Sequence, residues 1–110
     1  MAKFTKTVFK GADETAAYLS SEIESSALSC TLVEESRQVI GDVTVIVRVF
    51  EKYYMRNSSR ASLTLVVTGG ADECFVVAIG SGGGESSLFK FDWGAADNFV
   101  SVVESALISY

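Results

Sequence analysis

The stretch Val43-Thr44-Val45-Ile46-Val47-Arg48-Val49-Phe50-Glu51-Lys52-Tyr53-Tyr54-Met55-Arg56 decides the fold. Apolar side chains recur at every second position, the period of an extended chain, over a length that makes one long strand. Its odd positions (Val43, Val45, Val47, Val49, Glu51, Tyr53, Met55) are apolar but for Glu51 and are expected to face a core. Its even positions interleave basic and aromatic groups (Arg48, Phe50, Lys52, Tyr54, Arg56) and are expected to form an open face.

The pattern continues on both sides of this strand. Gly41-Asp42 marks a turn before it, and Arg56-Asn57-Ser58-Ser59-Arg60 a polar loop after it. Ala61 to Thr68 alternates again, with Ala61, Leu63, Leu65 and Val67 on one face. Gly69-Gly70-Ala71-Asp72 turns the chain into Cys74 to Ile79, where Phe75, Val77 and Ile79 alternate with Cys74, Val76 and Ala78. A glycine run, Gly80 to Gly84, interrupts regular structure, and Leu88 to Trp93 reads as a further strand. Upstream, Lys3 to Phe9 alternates weakly, and Ser29 to Gln38 begins strand-like and becomes polar at Glu34 and Glu35.

Two segments have helical period. Ala16, Leu19 and Ile23 form one apolar stripe, with Gly11 or Asp13 as N-cap and a serine-rich stretch, Ser20 to Ser29, to end the helix. Trp93, Ala96, Val100, Val103, Leu107 and Tyr110 step by three and four, widened by Phe99 and Ala106.

Short turns between successive strands dictate antiparallel pairing. The expectation is a single α+β domain over residues 1–110. It is a two-layer sandwich whose mostly antiparallel sheet of five or six strands carries both helices on one face. The helices should cover Val45, Val47, Leu63, Leu65, Phe75 and Val77, leaving Ile46, Phe50, Tyr54, Val66 and Val76 on the open side. This order of elements resembles the helix-grip arrangement and a half-repeat of the TATA-binding-protein fold. The resemblance is one of topology over most of the chain and brings no functional residue with it.

Composition narrows the chemistry. With 48% apolar and 21% charged residues the chain is globular, and its net charge of −5 argues against a nucleic-acid partner. No apolar run reaches the length of a membrane span, and Met1 to Lys10 lacks the apolar block of a signal peptide. The expected compartment is the cytoplasm, where Cys30 and Cys74 are structural thiols; their spacing alone leaves a disulfide open.

There is no histidine, which removes the commonest general base and metal ligand. Neither cysteine therefore has a base to activate it. The glycine run lacks the lysine of a phosphate-binding loop and places Glu85 where that loop needs glycine. Glu34 and Glu35 point to opposite faces of an extended segment. No catalytic residue, metal site or cofactor is expected.

What remains is the face bearing Arg48, Phe50, Lys52, Tyr54 and Arg56, where arginine and aromatic groups suit a protein partner or self-association, possible homodimerisation included. The competing reading is a solvated face whose long side chains cover apolar neighbours. The function these residues favour is a non-enzymatic binding or interaction module. The alternative is a small apolar-ligand carrier with a pocket between the sheet and the C-terminal helix.

Overall fold

The computed structural model describes residues 2–27, 29–54, 59–83 and 93–110. Strand β1 (Ala2–Val8) is followed by helix α1 (Ala12–Glu24). Strands β2 (Cys30–Ile40), β3 (Val43–Tyr54), β4 (Ser59–Gly69) and β5 (Cys74–Gly83) come next, and helix α2 (Trp93–Ile108) ends the fold. All strand pairs are antiparallel, in the order β1-β5-β4-β3-β2. The chain is thus the expected α+β two-layer arrangement, with five strands among the described residues. The sixth strand expected at Leu88 to Trp93 falls mostly outside them, and Trp93 opens α2.

Helix α2 crosses β1, β5 and β4, and α1 crosses β2, β3 and β4, so both lie on one face. The α2 stripe is buried as its period requires: Ala96, Phe99, Val100, Val103, Ala106 and Leu107 all face inward. In α1 the stripe Ala16, Leu19 and Ile23 is fully buried. Gly11 is the N-cap and offers no side-chain acceptor. Its role is partly filled by the β4–β5 turn, where the Gly70 carbonyl accepts from Ala12 N–H at 2.9 Å. At the other end Ser25 and Ser26 return their hydroxyls to the carbonyls of Glu22 and Ile23, which closes the helix within the serine run.

Side chains also close the end of α2. Lys6 Nζ donates to the Leu107 carbonyl at 3.3 Å and Tyr18 Oη to the Ala106 carbonyl at 2.8 Å, supplying partners to two carbonyls that lack intrahelical ones. Tyr18 stacks on Tyr110 with ring centroids 4.2 Å apart, and Lys10 Nζ sits 4.1 Å from the Tyr110 centroid. Helix α2 lies close on β5: a Cβ at Gly80 would come within 2.7 Å of the Ala96 carbonyl oxygen and 2.8 Å of Val100 Cγ2. Glycine is what lets helix and strand meet there. At Gly41 the β2–β3 turn needs a φ of 61°, the left-handed region that glycine adopts without strain.

The sheet corrects the expected face of two strands. In β4 the inward set is Ala61, Leu63, Leu65 and Val67, as read from the sequence. In β3, however, Ile46 and Phe50 are buried, and in β5 Cys74, Val76 and Ala78 are. Register is the cause. Leu63 pairs with Phe50, Leu65 with Arg48 and Val67 with Ile46, so the odd residues of β4 share a face with the even residues of β3. The same parity joins Leu63 to Gly80, Leu65 to Ala78 and Val67 to Val76. Once the leucines of β4 turn toward the helices, Val45, Val47, Phe75 and Val77 must turn away from them.

Candidate interaction face

Three of the side chains expected to bind a partner, Arg48, Phe50 and Lys52, are drawn into the fold instead. Phe50 is completely buried in the core. Arg48 lies beneath α1, where Nη1 donates to the Ala16 carbonyl at 3.2 Å and to Ser20 Oγ at 2.7 Å. Its Nε is 3.3 Å from Glu35 Oε1, an ion pair whose geometry falls short of a hydrogen bond. With its side chain only 23% exposed, Arg48 fastens α1 to β3. Lys52 is half-buried with Nζ 5.3 Å from the Phe99 ring centroid, a cation–π distance. Tyr54 ends β3, and Arg56 lies outside the described residues. Arg48, Phe50 and Lys52 therefore point into the fold and not onto an open face.

A β-bulge explains why Arg48 finds Glu35. Leu32 pairs with Phe50, but Glu34 pairs with Val49, so β2 carries one extra residue at Val33. Beyond the bulge the odd residues of β2 turn toward the helices, which places Glu35 opposite Arg48 and Arg37 opposite Ile46. Arg37 then reaches Asp13 on α1 with two parallel bonds of 2.8 Å, Nε to Oδ1 and Nη2 to Oδ2. The Arg37 guanidinium holds the Asp13 carboxyl below its ordinary value, and Asp13 in turn raises Arg37. The basic groups of this region therefore serve the α1–sheet contact.

The open side of the sheet is the face the sequence assigned to the core. Across strands β1, β5, β4, β3 and β2 its rows read Thr7–Phe75–Thr68–Val45–Gln38, Thr5–Val77–Val66–Val47–Ser36 and Lys3–Ile79–Thr64–Val49–Glu34. Of the apolar residues expected on the open side, Val66 is there, while Ile46, Phe50 and Val76 are in the core. The middle of each row is aliphatic, threonine or aromatic, and both edges are polar. Val45, Val47, Val49, Val66, Val77 and Ile79 are half-buried by their neighbours alone. Phe75 is 45% exposed, Tyr53 43% and Val43 42%. No described helix lies over this face, since both pack on the other side.

Two other features of the described residues bear on chemistry. No cluster of three metal-ligating side chains occurs there. Cys30 and Cys74 are free thiols near opposite edges of the sheet, paired across strands with Lys52 and Val8. Burial pushes the Cys30 thiol up, away from the reactive thiolate, with Lys52 opposing and Glu24 adding to the shift. No described helix is long and apolar enough to cross a membrane.

No curated protein and no solved structure matches the chain. Its sequence matches a family of unknown function, DUF6054, over residues 1–110, and the chain belongs to that family.

Proposed function

We propose that this chain is a non-enzymatic protein-interaction module that works through the open valine-rich face of its sheet. One observation carries the proposal: apolar side chains on β3 and β5, joined across β4 at Val66 and bounded on both sides by polar edge strands. Contiguous apolar surface of this kind, rimmed by polar groups, marks interaction sites on soluble proteins. Free thiols at Cys30 and Cys74 suit a reducing, cytoplasmic setting. The carrier reading, with a ligand between sheet and α2, gains no support at Gly80, where helix and strand leave no space between them.

The test compares wild type with Val66→Glu, which puts a carboxylate at the centre of the face and leaves the core untouched. Both proteins, tagged, are used to capture partners from extracts of the source cells, and circular dichroism verifies that the variant is folded. Association seen with wild type and lost with the variant supports the proposal. Association retained in full by a folded Val66→Glu overturns it.

A further inference from the structure

We infer that the occupant of the open face is a second copy of this chain, docked face to face about a two-fold axis running along β4. This rests on the reading of the open face as an interaction surface and adds its partner and geometry.

The argument is one of symmetry and charge. Strand β4 is the central strand of five. A two-fold axis in the plane between two stacked sheets and parallel to β4 carries β1 of one copy over β2 of the other. Each cross-strand row then meets itself reversed. In the row that begins at Lys3 and ends at Glu34, both exposed, Lys3 comes to lie against Glu34 of the other copy, and Ile79 against Val49. In the neighbouring row Val77 meets Val47, and Val66 meets its own symmetry mate on the axis. Two opposite-charge pairs thus flank one apolar centre.

The other in-plane axis, perpendicular to the strands, keeps β1 over β1 and β2 over β2. It leaves Lys3 and Glu34 on opposite edges, so no opposite-charge pair forms across the interface. The axis along β4 also keeps the strands of the two sheets nearly aligned, as stacked sheets prefer. Beyond the patch Arg60 approaches its own mate at one end of the axis. Glu51 stands one same-face pair further along, opposite Ser62.

The area suffices. Five strands about 4.8 Å apart and about seven residues long at ~3.3 Å each make a plate of roughly 550 Å². A pair therefore buries about 1,100 Å², which clears the ~1,000 Å² of a specific interface. Such an interface is closed and isologous, so it ends at the dimer.

The experiment measures dimerisation by sedimentation equilibrium for wild type, Val66→Glu, Lys3→Glu, Glu34→Lys and the double variant Lys3→Glu/Glu34→Lys. Wild type is expected to dimerise and Val66→Glu to be monomeric. Each single charge reversal alters both symmetric pairs and raises the dissociation constant about tenfold at low salt. The double variant, with the pairs restored in reverse, returns to within about threefold of wild type. Carbodiimide coupling of a mixture of light and ¹⁵N-labelled protein is expected to join Lys3 to Glu34 between copies. Within one chain the two lie four strand spacings apart, roughly 19 Å, too far for a zero-length link.

A dimer lost in Val66→Glu but indifferent to the charges at 3 and 34 overturns the axis and leaves the interaction face standing. A wild-type monomer at about 1 mM, a concentration at which even weak pairing is visible, overturns the second copy as partner, and the capture experiment alone then decides the face. A dimer that survives Val66→Glu overturns the face and the axis together.

Discussion

Replacing Phe50 with alanine and Val47 with threonine asks directly which face of β3 is the core. Phe50 has no exposed surface and lies in the cross-strand row Ala2–Gly80–Leu63–Phe50–Leu32, under the helices. Removing its ring discards the transfer energy of the side chain and opens a cavity, a loss of about 3–5 kcal/mol. A domain of this size holds about 5–15 kcal/mol in all, so the loss is a large share of it. At about 4 °C per kcal/mol the midpoint falls by roughly 12–20 °C. Val47 stands on the other face, half-exposed in the monomer. Threonine there keeps the β-branched shape, and water reaches its hydroxyl, so the cost stays within about 0.5 kcal/mol. Were the valines the core, the hydroxyl would be buried without a partner and cost about 1–3 kcal/mol. The assay is urea unfolding followed by circular dichroism at several protein concentrations, because dimerisation adds a concentration-dependent increment to apparent stability. Extrapolated to the monomer, a Val47→Thr loss equal to or larger than that of Phe50→Ala refutes the assignment of faces.

Three further outcomes follow from the contacts. Gly80→Ala sets a methyl group within 2.7 Å of the Ala96 carbonyl oxygen and forces α2 off β5, which lowers stability by about 1–3 kcal/mol in thermal or urea unfolding. Arg48→Glu removes the donors to Ala16 and Ser20 and sets two carboxylates side by side at Glu35, a loss of about 2–3 kcal/mol read as a drop in melting temperature. A partner-binding arginine on a solvated face would leave that temperature unchanged. The Asp13 carboxyl is lowered by the hydrogen bonds from Arg37, so the unfolded chain holds more protons than the folded one in the acid range. The stabilisation is present above the ordinary value of 3.8 and fades as pH falls through the lower folded value. Asp13→Asn is expected to flatten this part of an acid-unfolding curve.

Element type was legible, except at residues 80–83, read as a break and found in β5 paired with β4, because helical and extended periods differ and the other turns carry glycine or clustered small polar residues. Both helical stripes, the alternation in β4 and the antiparallel order follow from that. Facing was not legible strand by strand, because β3 and β5 are apolar on both sides. Val45 and Val47 compete with Ile46 and Phe50, and Phe75 and Val77 compete with Cys74 and Val76. Only β4 has one aliphatic side (Leu63, Leu65) and one mostly hydroxylic side (Ser62, Thr64, Thr68). Its facing fixes the others through register, and register depends on loop parity, which period alone does not report. The basic cluster misled for a related reason: a long strand brings Arg48 beneath a helix whose Ala16 carbonyl and Ser20 hydroxyl accept its hydrogen bonds. The bulge at Val33, which delivers Glu35 to Arg48, left no mark in the polar run of β2.

Strands that read as apolar on both sides carry a further consequence. A solvated sheet face normally shows polar residues in alternation, whereas near-continuous apolar runs belong to strands covered on both sides. In β3 and β5 the second side has Val45, Val47, Val49, Val77 and Ile79, with no described helix above them. The edges are defended in a different way. Strand β2 carries a bulge and the charges Glu34, Glu35 and Arg37, while β1 carries Lys3 and Lys6, features that discourage strand addition and open-ended growth. Association is thereby closed off along the edges and left available across the face. A face-to-face dimer consumes the whole apolar surface in one step, and its rim charges select the pairing that ends there.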